Sequence, residues 1–167
     1  PDMQMSKFRL DKSNSFLRSL ALSLVLNPLS PMRSAFRRSL DGCLDAHRHY
    51  LSQMGSESVV VGSSWGGAVA LRALADGEVK GGCLLIAPAY GLCARTFHGE
   101  AAAEAFVKES LFDRLNAALS DEQRARCLVV HGTDDETVPF ADSQALTDAT
   151  GMTLVTIPGG DHRLNDA

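Results

Sequence analysis

One short segment constrains the fold of this chain more than any other: a glycine-flanked serine lies between two apolar runs. Residues 59–61 (Val-Val-Val) precede residues 62–66 (Gly-Ser-Ser-Trp-Gly), and residues 67–71 (Gly-Ala-Val-Ala-Leu) follow. This order predicts a strand, a sharp turn and a helix, with Ser64 at the turn as a candidate nucleophile. We expect β-carbons at Gly62 and Gly66 to crowd the neighbouring strand and helix, because such turns strain the backbone. The alternative is a serine in an ordinary glycine-rich turn.

A catalytic serine needs a base and an orienting acid, and two later apolar runs end in candidates for these roles. Residues 126–132 form a predicted strand that leads into a polar loop with Asp135. Residues 152–158 form another, which leads into residues 159–163 with His162. The chain order is therefore serine, acid, histidine. Open parallel sheets place their sites at these carboxyl ends of strands.

Each candidate has competitors nearby. The spacing favours Asp135 as the acid over Asp134 and Glu136, although Asp135 could also simply brace its loop by bonding its own backbone. His162 is the predicted base because it alone follows a strand in the right chain order. The other histidines are placed differently: His47 and His49 in a predicted helix, His98 in an insert, and His131 at the start of the acid loop, where a structural role fits better.

These motifs resemble those of the α/β-hydrolase superfamily. The matching pieces are residues 62–67, residues 131–139 (His-Gly-Thr-Asp-Asp-Glu-Thr-Val-Pro) and residues 161–163 (Asp-His-Arg). In that family the second motif usually reads H-G-x-x-D-x-x-V-P, and its aspartate, here Asp135, is the triad acid. The doubled serine and glycine, the Asp-Asp pair and the Asp-His-Arg ending look most like small acyl thioesterases and carboxylesterases, including mitochondrial palmitoyl-thioesterase-like proteins.

The resemblance implies an α/β fold, with a mostly parallel sheet and helices on both faces. It also implies a serine hydrolase that cleaves an ester or thioester through an acyl-enzyme, with Ser64, Asp135 and His162 as its triad. One oxyanion donor would be the backbone N–H of Trp65, the residue after the nucleophile. The second donor normally comes from a loop after the third strand, which we do not find here. No cofactor is expected.

The start of the chain suggests an N-terminal truncation. Residues 1–3 (Pro-Asp-Met) look like the end of the fourth strand of the family, so the first strands are expected to be missing. The strand at residues 59–61 would then be an exposed edge that favours self-association. Residues 20–26 are apolar but too short to span a membrane, and we expect a buried or lid-like segment there. Organellar targeting stays open, because the true N-terminus would be absent.

The remaining sequence fits one partial domain over residues 1–167. A long helix is predicted from Ser30 until Gly55, and a buried strand at residues 81–88. Residues 90–123 are long enough for a small cap insertion of short helices. Their apolar side chains would either line an acyl pocket or only pack against the sheet, because periodicity does not separate these two possibilities.

The net charge and the positions of the cysteines limit which ligands and which cellular compartment we expect. The net charge is −4, and basic residues near the start are scattered without aromatic residues among them, so no nucleic-acid partner is expected. Cys43, Cys83, Cys93 and Cys127 form no C-x-x-C pair and show no metal-ligand spacing. We therefore expect no metal site, and an intracellular, cytoplasmic protein in which at least three of these cysteines are reduced core residues. The family resemblance implies a small-molecule acyl ester or thioester as its substrate.

Other functions remain open from sequence alone. The chain could be a noncatalytic or inactive truncated protein that keeps the fold, or an amide hydrolase of the serine aminopeptidase type. An aspartate-nucleophile dehalogenase is disfavoured, because the turn holds Ser64. The fold does not set the substrate, so neither acyl length nor leaving group follows from it.

Overall fold

The structure is a computed structural model that describes residues 30–164. Residues 1–3 and 20–26, on which the expectations of a truncated fourth strand and a lid-like segment rest, lie outside the described residues. The strands are β1 (Val59–Ser63), β2 (Gly82–Ile86), β3 (Cys127–Gly132) and β4 (Thr153–Ile157). The helices are α1 (Ser30–Leu51), α2 (Trp65–Ala75), α3 (Tyr90–His98), α4 (Glu100–Val107), α5 (Asp113–Ala118), α6 (Asp121–Ala125) and α7 (Phe140–Thr150), with a π-helical turn at Lys108–Phe112 between α4 and α5.

The four strands form one parallel sheet in the order β1-β2-β3-β4. Each strand is connected to the next by one or more helices, as parallel strands require. The predicted α/β architecture with a parallel sheet is confirmed. Because all four strands run in the same direction, their carboxyl ends meet at one edge, where the loops that carry Ser64, Asp135 and His162 begin.

The two faces of the sheet differ in burial. Cys83 and Leu85 on β2, and Val129 on β3, have at most 1% of their surface exposed, because α2 and α7 pack over this face. Alternate positions point the other way, and there Val61 is 62% exposed and Leu128 39%. Within residues 30–164 the hydrophobic core therefore lies on one side of the sheet.

Helix α1 begins at Ser30, as predicted, and ends at Leu51, four residues before Gly55. Leu44 and Leu51 are buried, and the helix packs against α2 and α3. Residues 52–54 form a tight turn instead of a last helical turn: the N–H of Met54 bonds the carbonyl of Leu51, three residues back. The predicted end was therefore slightly too late.

The segment of the predicted cap is helical. Helices α3 to α6 fill most of residues 90–125, and α5 packs against α2 through the fully buried Leu115. Val107 and Leu119 also belong to the core that these helices share with α2. This packing accounts for part of the apolar pattern in the segment. The division of the chain into a domain with a cap at residues 90–123 stays a prediction.

Candidate active site

The turn between β1 and α2 holds Ser64 in an unusual backbone conformation. Its φ is 51° and its ψ is −116°, a region of backbone conformation that residues other than glycine rarely adopt. The N–H of Ser64 donates to the carbonyl of Ile86 (2.8 Å), and its carbonyl accepts from the N–H of Ala89 (3.0 Å). The turn is thus attached to the end of β2 on both sides of the serine, which sustains the strain.

The glycines around Ser64 allow two close approaches. A β-carbon at Gly62 would lie 2.5 Å from the carbonyl oxygen of Gly66, and one at Gly67 would lie 2.9 Å from Pro88. Nothing lies within 4 Å of the corresponding position at Gly66. The expectation of crowding was therefore right for Gly62 and wrong for Gly66. Gly66 is exposed, whereas Gly67 is buried against the loop after β2.

Asp135 is the inward-facing acid of its loop. Its side chain is fully buried, and its Oδ1 accepts hydrogen bonds from the backbone N–H groups of Thr137 and Val138, both at 2.8 Å. Asp134 and Glu136 are exposed instead. The two interpretations of Asp135 are compatible, since Oδ1 braces the loop and Oδ2 remains for another partner.

A close contact between two loops places His162 next to Asp135. A β-carbon at Gly132, where β3 ends, would overlap the carbonyl oxygen of Gly160. The N–H of Asp134 donates to that same carbonyl (3.1 Å), and the N–H of Thr133 donates to the carbonyl of Ile157 (3.0 Å). These contacts join the loop after β3 to the loop after β4, which carries His162.

The structure brings the three predicted residues together. His162 Nδ1 lies 2.7 Å from Asp135 Oδ2, and His162 Nε2 lies 3.0 Å from Ser64 Oγ, although 98 residues separate this second pair in sequence. An ionised carboxylate only accepts hydrogen bonds, so Nδ1 carries the ring proton. In the neutral ring Nε2 then accepts a hydrogen bond from the Ser64 hydroxyl. The His162 side chain is 22% exposed, which leaves the site open to a small molecule.

The surroundings of Asp135 favour its ionised form. Burial alone would raise the pKa of this carboxyl, but hydrogen bonds from the Val138 N–H, from His162 and from the Thr137 N–H outweigh it. The pKa of Asp135 consequently lies below its ordinary value of 3.8. At neutral pH the group next to His162 is a carboxylate.

Trp65, the predicted oxyanion donor, is the first residue of α2. The helix dipole places partial positive charge at the first turn of a helix. This position is suitable for stabilising negative charge that develops beside Ser64. No second donor is assigned.

His131 contacts Asp135 directly, which the sequence did not predict. It is fully buried, and its Nε2 lies 3.1 Å from both Asp135 Oδ2 and the carbonyl of Val138. Its Nδ1 lies 2.6 Å from Ser143 Oγ on α7. The available signal was its spacing of four residues before Asp135. The other histidines have different surroundings: His47 and His49 are exposed on α1, and His98 stacks on Phe106.

Residues 30–164 show neither a membrane-spanning helix nor a cluster of metal ligands. None of the helices there combines the length and the hydropathy that crossing a bilayer requires. The same residues contain no group of three or more histidine, cysteine, aspartate or glutamate side chains arranged to hold a metal ion.

Comparison with known proteins gives matches among solved structures only. No family model matches the chain, and no curated protein matches it. The product of the ydeN gene from B. subtilis is 22% identical, with a TM-score of 0.55 over 76% of this chain and 66% of that one. A YdeN-like hydrolase from Pectobacterium atrosepticum is also 22% identical, with a TM-score of 0.51 over 74% of this chain and 57% of that one.

The chain thus spans 57% and 66% of the lengths of these two proteins. At this identity the likeness concerns the fold. It agrees with the α/β architecture of the described residues. The chain therefore has the fold of the α/β-hydrolase superfamily, as its sequence motifs predict.

Proposed function

We propose that this protein is a serine hydrolase of the carboxylesterase or acyl-thioesterase type. The observation that carries the proposal is the position of His162 between two partners, with one ring nitrogen 3.0 Å from Ser64 Oγ and the other 2.7 Å from Asp135 Oδ2. A nucleophile, a base and an orienting acid in hydrogen-bond contact are the arrangement that activates a serine.

In the first half of the reaction the Ser64 oxygen attacks the carbonyl carbon of an ester or thioester. His162 Nε2 takes the hydroxyl proton as the new C–O bond forms, and Asp135 stabilises the resulting imidazolium. The backbone N–H of Trp65 donates to the oxyanion of the tetrahedral intermediate. When that intermediate collapses, His162 returns the proton to the leaving alcohol or thiol, and the acyl group stays on Ser64.

In the second half a water molecule attacks the acyl-enzyme. His162 takes a proton from this water, and the same oxyanion contact stabilises the second tetrahedral intermediate. Collapse breaks the bond to Ser64 Oγ, which receives the proton from His162. The products are a carboxylic acid and the free enzyme, so the cycle needs no cofactor.

Helix α3 is the part of the predicted cap that we place beside the acyl group. The helix begins at Tyr90, directly after Ala89, whose N–H bonds the carbonyl of Ser64 (3.0 Å). Leu92, in its first turn, is 40% exposed. An exposed apolar side chain three residues after Ala89, whose N–H bonds the Ser64 carbonyl, supports an acyl-binding role for this end of the cap.

Self-association through β1 is a further part of the proposal. Among the described strands β1 pairs only with β2, and Val59 and Val61 are more than half exposed. An apolar edge strand of this kind favours edge-to-edge association. Light scattering would give a mass above that of one chain, and Val61→Lys should lower it; a monomeric wild-type protein would contradict this part.

We also propose an intracellular, cytoplasmic location. All four cysteines are free, and Cys83, Cys93 and Cys127 are buried. Reduced buried thiols are the usual state in a reducing compartment. Fractionation of the native cells would test this location.

The experiment that tests the catalytic proposal is labelling with a fluorophosphonate. This probe would be applied to the chain, to a version extended upstream, and to Ser64→Ala and Ser63→Ala in both. The extended version is included because the chain spans 57% and 66% of the lengths of its two structural matches. Ser63 is the matched control, since it is an exposed serine directly before Ser64.

We expect labelling that survives Ser63→Ala and disappears in Ser64→Ala. Labelling in both lengths would show that the described site is sufficient, whereas labelling of the extended version alone would show that upstream residues are required. Folded proteins that never react would favour the noncatalytic alternative. A panel of one acyl group as ester, thioester and amide would then separate the proposed specificity from that of an aminopeptidase-like amide hydrolase.

A further inference from the structure

We infer that His131 is a positioning residue, which holds the carboxylate of Asp135 in the orientation that His162 requires. The inference rests on the proposed function. His131 Nε2 lies 3.1 Å from Asp135 Oδ2, and the same oxygen lies 2.7 Å from His162 Nδ1. Two histidine rings thus meet one oxygen of the triad acid.

The neighbours of His131 determine which nitrogen carries its proton. Asp135 Oδ2 and the carbonyl oxygen of Val138, both 3.1 Å from Nε2, are acceptors only. Nε2 therefore donates, and its proton is shared between them. In the neutral ring Nδ1 then accepts, and the hydroxyl of Ser143, at 2.6 Å, is the donor. The chain of hydrogen bonds runs from Ser143 through His131 to Asp135.

With His131 included, the Asp135 carboxylate has four N–H donors. Oδ1 accepts from the backbone of Thr137 and Val138, and Oδ2 accepts from His131 and His162. A carboxylate offers about four lone-pair sites, so this set fills them. Rotation of the carboxylate would break bonds on both oxygens. The side chains of His131 and Asp135 are fully buried, so the contact between them is shielded from bulk solvent.

A purely structural role would use the same contacts differently. His131 could simply connect α7, through Ser143, to the loop at Val138, and its ring also packs edge-on against Phe140 (5.6 Å between centroids). Loss of that connection would lower the free energy of unfolding. A purely structural loss would lower kcat equally with and without Asp135. A positioning role would lower kcat only when Asp135 is present, and this difference distinguishes the two roles.

The test compares His131→Leu with His131→Gln in whichever length of chain shows Ser64-dependent ester hydrolysis. Leucine is similar in size and has no donor, whereas the glutamine amide can replace the N–H at Nε2. We expect His131→Leu to lower kcat about 10- to 100-fold, as loss of a hydrogen bond to a charged group does, with KM little changed. His131→Gln should recover most of this loss.

In this comparison, two results would overturn the inference: a folded His131→Leu protein with wild-type kcat, or a folded His131→Gln protein as slow as His131→Leu. The same substitution in an Asp135→Ala background gives a second measurement. If His131 acts through Asp135, His131→Leu should cause no further loss there. An equal loss in both backgrounds would assign His131 a role independent of Asp135.

A third measurement does not depend on activity. Nitrogen-15 NMR of the histidine rings should show the His131 proton on Nε2, and a proton on Nδ1 instead would contradict the assigned hydrogen-bond direction. These experiments distinguish failure of the proposed hydrolase function from failure of the proposed role of His131. Absence of Ser64-dependent hydrolysis in every wild-type form overturns both, whereas full kcat in folded His131→Leu overturns only the role of His131.

Discussion

The turn at Ser64 and the loop at Asp135 hold their side chains in opposite ways. Ser64 is positioned by its backbone: φ is 51°, and a neighbouring glycine, Gly62, permits the close approach that the turn needs. Asp135 is positioned through its side chain, whose two oxygens accept four N–H groups. A nucleophile must keep its oxygen available for substrate, whereas an orienting acid works best when its carboxylate is immobile. Each arrangement suits the role that we propose for its side chain.

The largest effect is expected when the hydrogen bonding of the acid changes. Asp135→Asn replaces one acceptor oxygen with an amide group, which no longer holds His162 with its proton on Nδ1. We expect kcat for ester hydrolysis to fall about 10⁴-fold, the effect of this change in other triads. The matched control is Asp134→Asn, an exposed neighbour that should stay near wild type. A large loss in the control and none at Asp135 would reverse the assignment of the acid.

The next effect concerns the contact that joins the acid loop to the histidine loop. The added β-carbon of Gly132→Ala overlaps the carbonyl oxygen of Gly160, so the two loops must separate. A displacement of about 1 Å at His162 is enough to lower kcat about 100-fold. Gly55→Ala is the control, because nothing lies within 4 Å of its β-carbon. Kinetics with unchanged kcat in Gly132→Ala would show that the loop contact does not position His162.

A smaller effect, on stability, is expected at the serine turn. The β-carbon of Gly62→Ala would lie 2.5 Å from the Gly66 carbonyl oxygen. The backbone shift that this overlap forces should lower the free energy of unfolding by about 1–3 kcal/mol. Gly66→Ala should change it by less than about 0.5 kcal/mol, because its β-carbon meets open space. Urea unfolding measures both. Equal effects at the two positions would contradict the description of this turn.

The smallest expected effect is the acid dependence of stability at Asp135. The folded-state pKa of this carboxyl lies below 3.8, so the unfolded chain takes up the proton first as the pH falls. Asp135 therefore contributes stability above pH 3.8 that disappears as the pH falls through the lower folded value. The difference in unfolding free energy between wild type and Asp135→Asn should shrink over this range. A difference independent of pH would show that the hydrogen bonds do not favour the ionised form.

Local backbone requirements explain why much of the fold and of the site could be predicted from sequence. The strand, turn and helix around Ser64 need glycine at Gly62, and buried parallel strands need continuous apolar runs, as at residues 83–86. The positions of Asp135 and His162 followed from the strands that precede them. Asp135 and His162 meet at 2.7 Å because β3 and β4, whose ends they follow, are neighbours in the sheet.

The features that the sequence did not reveal depend on long-range contacts. Gly67, not Gly66, is crowded because Pro88 from the loop after β2 packs against it. His131 could face the core or the acid, and only the position of α7, which brings Ser143 to its Nδ1, shows that it bridges both. The Gly67 contact leaves no local pattern in the sequence, and the spacing of four residues between His131 and Asp135 does not by itself show that His131 also meets Ser143.

The decisive measurement is a comparison of ester hydrolysis by Ser64→Ala, by His162→Ala and by the double variant. If Ser64 and His162 act as one unit, each single substitution should remove almost all of kcat, and the double variant should be no slower than the slower single one. Losses that multiply in the double variant would mean that the two side chains act independently. That result would contradict a catalytic unit of Ser64, His162 and Asp135.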